Sequence, residues 1–281
     1  MSVKITIEMI KTLRRRTQAG IVDCKKALIK TQGDIDKAII LINKERKSLN
    51  NFLHKDQIFS EGLVNVAFKK NRGILFELNT QTDFVSNSQF FLDFCHKLEN
   101  ILLNVDDSVI TLDDFLNYNV NQQKIKDMIS EKSSILGETI NLRRIKIIYK
   151  KNEESFGIYK HIGNKIVCLV RLTNPCIEVE KNLPIHIVCF NPKFISKDCV
   201  ESSFIEQTKQ KILKKIKLKN PKINEKWINI SINKKIDSVL NEICLLEQFL
   251  YNNPKQKITE YLKLNNTDII EFHRFELCEN D

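Results

Sequence analysis

The side chains of this 281-residue chain best suited to move a proton, hold a metal or attack a carbonyl are five histidines, at 54, 96, 161, 186 and 273, and eight cysteines, at 24, 95, 168, 176, 189, 199, 244 and 278. Catalysis needs such groups in constellations: a nucleophile beside a base, a base beside an orienting group, or several ligands at metal spacing. Their spacing supplies none of these. There is no Cys-x-x-Cys pair, no His-Glu-x-x-His, no Gly-x-Ser-x-Gly elbow and no glycine loop to cradle a phosphate. With seven glycines in the chain, few places remain where backbone can close tightly on a nucleotide. The cysteines therefore read as reduced small hydrophobes and each histidine as a structural hydrogen-bonding group. No enzyme, cofactor or metal site is expected, so any action on a nucleotide would pass through another protein.

Recognition is the chemistry left open. Phe84 and Val85 are apolar side chains set in a polar run from Asn79 to Ser88, between a strand and a helix that Ser86 or Ser88 would cap. That setting suits a presented loop, whereas burial statistics alone turn Phe84 inward as a core anchor. Charge offers a competing partner: the formal balance of +10 fits nucleic acid, since clustered lysines neutralise phosphates. The lysines accompany an excess of Ile and Asn and few Gly, Pro or Ala, the mark of a base-composition bias. Those at 209, 211, 214, 215, 217 and 219 have no interleaved aromatics for base stacking, so they read as a solvated face.

The elements that position these residues follow from period and punctuation. Hydrophobic residues make up 42% of the chain and charged ones 28%, enough for one or two cores, and no apolar run approaches the ~18 residues of a membrane span. A cytoplasmic protein is expected. Thr6 caps a first helix carrying Ile10 and Leu13, Ala19-Gly20 turns, a second helix runs from about Val22 to Lys30, and Asp34 caps a third with Ile35, Ala38, Ile39 and Ile42 on one face. A polar, aperiodic linker falls at Lys47 to Gln57. The period then changes to strands, with hairpins at residues 62–78 and 156–170, and a helix from Gln89 to about Leu103 whose face is Phe90, Phe91, Phe94, Leu98 and Leu102. A further helix is expected after Leu183, and between Phe204 and Leu240 a helical hairpin is bent at Asn220-Pro221.

Two segments carry a family resemblance. Leu13-Arg14-Arg15-Arg16-Thr17-Gln18-Ala19-Gly20-Ile21-Val22-Asp23-Cys24-Lys25-Lys26-Ala27-Leu28 resembles the amino-terminal signature of the elongation factor Ts family, with Gln18 where a glycine is frequent. Asn79-Thr80-Gln81-Thr82-Asp83-Phe84-Val85 resembles its core signature. Glu138 to Arg144, Tyr159-Lys160-His161, Leu246-Glu247-Gln248 and Phe272 to Glu276 extend the likeness over nearly the whole chain. The resemblance implies an α+β protein with three parts. These are a three-helix domain like ubiquitin-associated domains with its linker (1–55), a first α+β core subdomain (56–150), and a related second one (151–281) with a coiled-coil insertion at about 201–240 and a terminal module.

It also implies a guanine-nucleotide exchange factor that binds the GDP form of elongation factor Tu, empties its site and lets GTP enter. The protein itself would bind no nucleotide, membrane or nucleic acid. Thr82, Asp83, Phe84 and Val85 would disturb the partner's magnesium and phosphate sites, while Arg14, Ile21, Val22 and His161 would make further contacts. On composition alone Ile21 and Val22 could equally belong to the small bundle's core, and Arg14 could be a plain surface cation. A basic RNA-binding protein, or a relative that holds Tu without exchange, are the competing classes.

Overall fold

The computed structural model describes residues 5–17, 19–42, 59–219 and 225–279. The chain is mixed α+β. Three helices open it: α1 (Ile7–Thr17), α2 (Ile21–Lys30) and α3 (35–42). Thr6 caps α1 by accepting the Met9 N–H at 3.3 Å. After α2 the Gly33 N–H donates back to the Leu28 carbonyl at 2.8 Å, and Asp34 caps α3 by accepting the Lys37 N–H at 3.0 Å. That backbone hydrogen bond is the main reason the Asp34 carboxyl sits below its usual range. Leu13, Cys24, Ala27, Leu28, Ala38 and Ile42 form the bundle's buried core. Gln18 and the linker expected at 47–57 lie outside the described residues.

Next come β1 (Glu61–Lys69) and β2 (Arg72–Thr80), joined through Lys70 at φ 55°, then the short α4 (Asp83–Ser86) and α5 (Gln89–Leu102). Ser88, not Ser86, caps α5, its hydroxyl accepting the Phe91 N–H at 3.3 Å. Phe91, Phe94, Cys95, Leu98 and Leu102 are buried, but Phe90 is exposed, against the expected face. At 100° per residue Phe90 lies on the flank of the stripe centred between Phe91 and Leu98, where Lys132 Nζ sits 5.6 Å from its ring. The chain continues through α6 (Leu112–Asn117), β3 (Asn119–Val120), β4 (Gln123–Lys124), α7 (Ile125–Leu136) and β5 (Asn141–Tyr149). A three-stranded sheet forms in the order β1-β2-β5.

The described chain resolves into two compact units, with β6 to β10 and the later helices in the second. Its sheet has the order β10-β7-β6, all pairs antiparallel, from β6 (Ser155–Lys160), β7 (Ile166–Leu172) and, after an excursion, β10 (Ile269–Glu276). The helix expected after Leu183 starts earlier, as α8 (Ile177–Phe190), and runs through Pro184. Proline removes the N–H that would bond the Glu180 carbonyl. That carbonyl is turned to use by close packing: a Cβ on Gly157 of β6 would lie 2.4 Å from it, so only glycine lets strand and helix approach this closely. Val179, Leu183 and Ile187 bury into a core with Cys168, Val170 and Leu172, and this burial overrides the break that proline signals.

Two long helices follow, α9 (Ser202–Lys219) and α10 (Glu225–Ile243). Ile212, Leu213 and Ile216 pack with Ile228, Ile232 and Ile236, and the base closes through Val200, Ile205, Leu240 and Cys244. The Asn220-Pro221 bend lies outside the described residues. The chain returns through β8 (Phe249–Leu250), β9 (Asn253–Lys257) and α11 (Ile258–Leu264) to β10. Among the described residues no helix is long and apolar enough to cross a membrane.

Candidate functional site

The polar run after β2 is a capped helical turn rather than an open loop. Thr82, at φ −123° and ψ 153°, is its N-cap, with Oγ1 accepting the Val85 N–H at 3.4 Å. The Ser86 and Asn87 N–H groups donate to the Thr82 and Asp83 carbonyls at 3.2 and 3.0 Å. The Ser86 and Ser88 hydroxyls donate to the Asp83 and Val85 carbonyls at 3.1 and 2.7 Å. Ser86 takes the inward position of this turn, which sends Phe84 outward: it is 89% exposed, against the burial that residue statistics suggest. Asp83 beside it is exposed and Val85 half-buried.

Glu138 locks the start of the turn. Its Oε2 accepts the Thr80 hydroxyl at 2.9 Å and the Thr82 N–H at 3.1 Å, and its Oε1 accepts the Thr82 hydroxyl at 2.5 Å. Sequence reasoning missed this residue as part of the site. It belongs to the Glu138–Arg144 stretch that carries the resemblance, but 56 positions separate it from Thr82 and no periodicity pairs the two.

In the helical bundle, Arg14 is exposed on α1, and Ile21 and Val22, in the first turn of α2, are 55% and 62% exposed. They are therefore outside the bundle core. In the second unit His161 follows β6 and is exposed, its Nδ1 3.2 Å from the Tyr159 hydroxyl. A tight turn follows, with Gly163 and Asn164 at φ 79° and 52°. It is closed by the His161 N–H to the Ile166 carbonyl and by the Asn164 N–H to the His161 carbonyl, both at 2.9 Å. Ile162 stands out of that turn at 89% exposure, a second presented apolar side chain that sequence reasoning did not single out.

The remaining histidines have structural surroundings. His186 is fully buried, with Nε2 2.8 Å from Gln248 Oε1, and burial depresses its pKa against the opposing hydrogen bond. His273 lies 2.9 Å from Glu271, His96 is exposed, and His54 falls outside the described residues. Among the described residues no group of three or more His, Cys, Asp and Glu side chains is arranged to hold a metal.

Apolar side chains exposed on hydrogen-bonded turns, as Phe84 and Ile162 are, suit engagement of another macromolecule. Comparison with known proteins carries this to a family. The model of the family described as Elongation factor TS matches residues 81–279. Among curated proteins, Elongation factor Ts of Phytoplasma australiense is 38% identical over 279 residues, covering 98% of this chain and 99% of the relative. That of Phytoplasma mali is 39% identical with 99% of both covered, and that of Acholeplasma laidlawii 34% identical with 98% of this chain and 93% of the relative covered. The chain belongs to the elongation factor Ts family. Members of that family are nucleotide-exchange factors for elongation factor Tu and not enzymes.

Proposed function

We propose that this chain binds the GDP form of elongation factor Tu in the cytoplasm and drives GDP release by pressing Phe84 into the partner's GTPase domain, where Asp83 and Phe84 displace magnesium and phosphate contacts. GTP then enters the emptied site. The observation that carries this reading is the 89% exposure of Phe84 on a turn whose backbone groups are already hydrogen-bonded. An exposed, ordered aromatic costs hydration until a partner covers it.

A factor that bound every state of its partner equally would shift nothing, so the Phe84 turn must favour the nucleotide-free state. Any weakening of GDP binding by the factor is matched by the same weakening of the factor by GDP. A shift of about 10⁴-fold corresponds to about 5.5 kcal/mol of coupling. Burial of one phenylalanine contributes about 2–3 kcal/mol, so further contacts are required. Thr82 and Val85 frame the wedge, Arg14, Ile21 and Val22 supply an anchor from the bundle, and His161 a contact from the second unit. In this scheme the chain binds no nucleotide itself. Its parts are a ubiquitin-associated-like bundle with linker (1–55) and two related core subdomains (56–150 and 151–281), with α9 and α10 as a coiled coil inserted in the second.

The test is release of a fluorescent GDP analogue from elongation factor Tu, with wild type, Phe84→Ala and Asp83→Ala. Acceleration by wild type should fall by about 30- to 150-fold in Phe84→Ala, the equivalent of that lost burial. A wild-type chain that leaves release unchanged sinks the reading, and full activity of Phe84→Ala removes the wedge. One observation favours RNA binding as a second reading: Trp227 is 65% exposed, and packing of Ile216 with Ile228 sets it at the same end of the arm as the exposed Lys214 and Lys215. RNA affinity falling steeply with salt would support it, and weak, salt-insensitive binding would end it.

A further inference from the structure

We propose that Glu138 is a positioning residue for exchange: its carboxylate sets the turn that presents Phe84 in working shape before the partner arrives. The role begins at the end of α7. Gly137 closes that helix in the left-handed region, at φ 76° and ψ 8°, with its N–H on the Ser133 carbonyl at 2.9 Å. No atom lies within 4 Å of where a Cβ would sit, so glycine serves the backbone angle and not a close contact. Two residues after Glu138 the Ile140 N–H donates to Ser133 Oγ at 2.9 Å, and that hydroxyl donates to the Ile129 carbonyl at 2.9 Å. Thr139 and Ile140 are buried. Glu138 is thereby held to the helix on both sides.

Its two oxygens then take three donors from the other segment: the Thr80 hydroxyl, the Thr82 N–H and the Thr82 hydroxyl. The last of these fixes a rotamer. With its proton committed to Glu138, Thr82 Oγ1 has lone pairs left for the Val85 N–H, which is the capping bond of the turn. A carboxylate suits the task because it only accepts and can serve three donors at once. Ordering that would otherwise be completed on docking is thus complete in the free chain, and binding free energy goes instead to the partner's nucleotide site.

Because this role rests on exchange through the Phe84 turn, two readouts separate the claims. The first is amide hydrogen exchange of the free full-length chain. Glu138→Ala should speed exchange at Ser86 and Asn87 by about tenfold or more, the loss of roughly one charge-assisted hydrogen bond, with α5 and α7 as protected as in wild type. The second is GDP-analogue release from elongation factor Tu at saturating factor. Glu138→Ala should lower the rate by about tenfold, Glu138→Gln should recover part of it by keeping one carbonyl acceptor, and Glu138→Ala added to Phe84→Ala should cost nothing more. Unchanged amide exchange in Glu138→Ala, or additivity with Phe84→Ala, overturns the proposal while wild-type activity stands. A wild type that fails to accelerate release overturns the exchange role itself. Should Glu138→Ala melt early, Glu138→Gln decides by the same two readouts.

Discussion

Replacing Glu77 on β2 should cost more stability than any other single carboxylate change in the first unit, and the cost should shrink in acid. The side chain is fully buried. Its Oε1 accepts the Asn79 amide at 3.0 Å, the Cys278 N–H at 2.8 Å and Arg143 Nη1 at 3.1 Å, and its Oε2 accepts Arg144 Nε at 2.7 Å. Arg143 also donates to the Glu279 carbonyl at 2.6 Å, so this carboxylate ties the carboxyl-terminal residues to β2 and β5. Removing one member of a buried pair costs about 3–5 kcal/mol, and because Arg143 and Arg144 keep partial access to water, the lower end, about 3 kcal/mol, is expected for Glu77→Gln. With a urea slope of about 3 kcal/mol per molar, the midpoint should fall by about 1 M.

Burial alone would raise the Glu77 pKa. The bonds from Cys278 and Asn79 and the Arg144 and Arg143 guanidinium groups outweigh it and hold the carboxyl below its ordinary 4.5. The unfolded chain therefore takes up a proton on falling below about pH 4.5, and the folded one only at lower pH. Stability from Glu77 is present above that pH and is lost as pH falls through the folded value. The gap between wild type and Glu77→Gln should be full at pH 7 and narrow between pH 5 and 3, as read by urea titrations at each pH. A variant within about 0.5 kcal/mol of wild type at pH 7, or a gap that ignores acid, would refute this account.

Gly157→Ala should lower the thermal midpoint through a clash with the Glu180 backbone, at about 1–3 kcal/mol, and an unchanged melt would show that α8 can move away. Val22→Ser should weaken binding to elongation factor Tu by about tenfold in a direct titration while leaving circular dichroism and melting intact; melting lowered instead would place Val22 in the bundle core. His186, whose pKa burial depresses, takes up its proton at lower pH in the fold than in the unfolded chain, where the imidazole is protonated below about pH 6.5. Stability should therefore decline as pH falls from 7 to 5, and His186→Gln should flatten that slope in denaturation midpoints.

Local rules made much of this molecule legible. Thr6 and Asp34 cap their helices where a short polar side chain precedes an apolar period, Ser88 is one of the two serines expected to cap α5, and both hairpins fall where alternation meets a basic or glycine-containing turn. The scarcity of catalytic constellations, the two signature segments and the apolar Phe84 in a polar run were likewise readable, because residue type and spacing along the chain are all they require. Phe90 and the start of α8, at Ile177 and not after Leu183, were misread for the opposite reason: a stripe's flank and a helix that runs through a proline are decided by what packs beside them.

Tertiary structure alone decided the rest. It turned Phe84 outward and gave the inward place to Ser86, put Glu138 on Thr82 across 56 positions, and brought the Cys278 N–H to Glu77 across 201. It set a freed Glu180 carbonyl against Gly157 and paired His186 with Gln248. Chain-local chemistry determines the backbone angles a residue prefers and the period in which apolar side chains recur. Which distant polar group meets a buried carboxylate or hydroxyl depends on how strands and helices dock, since each such group, once out of water, must find a partner wherever the packing brings one within hydrogen-bond reach.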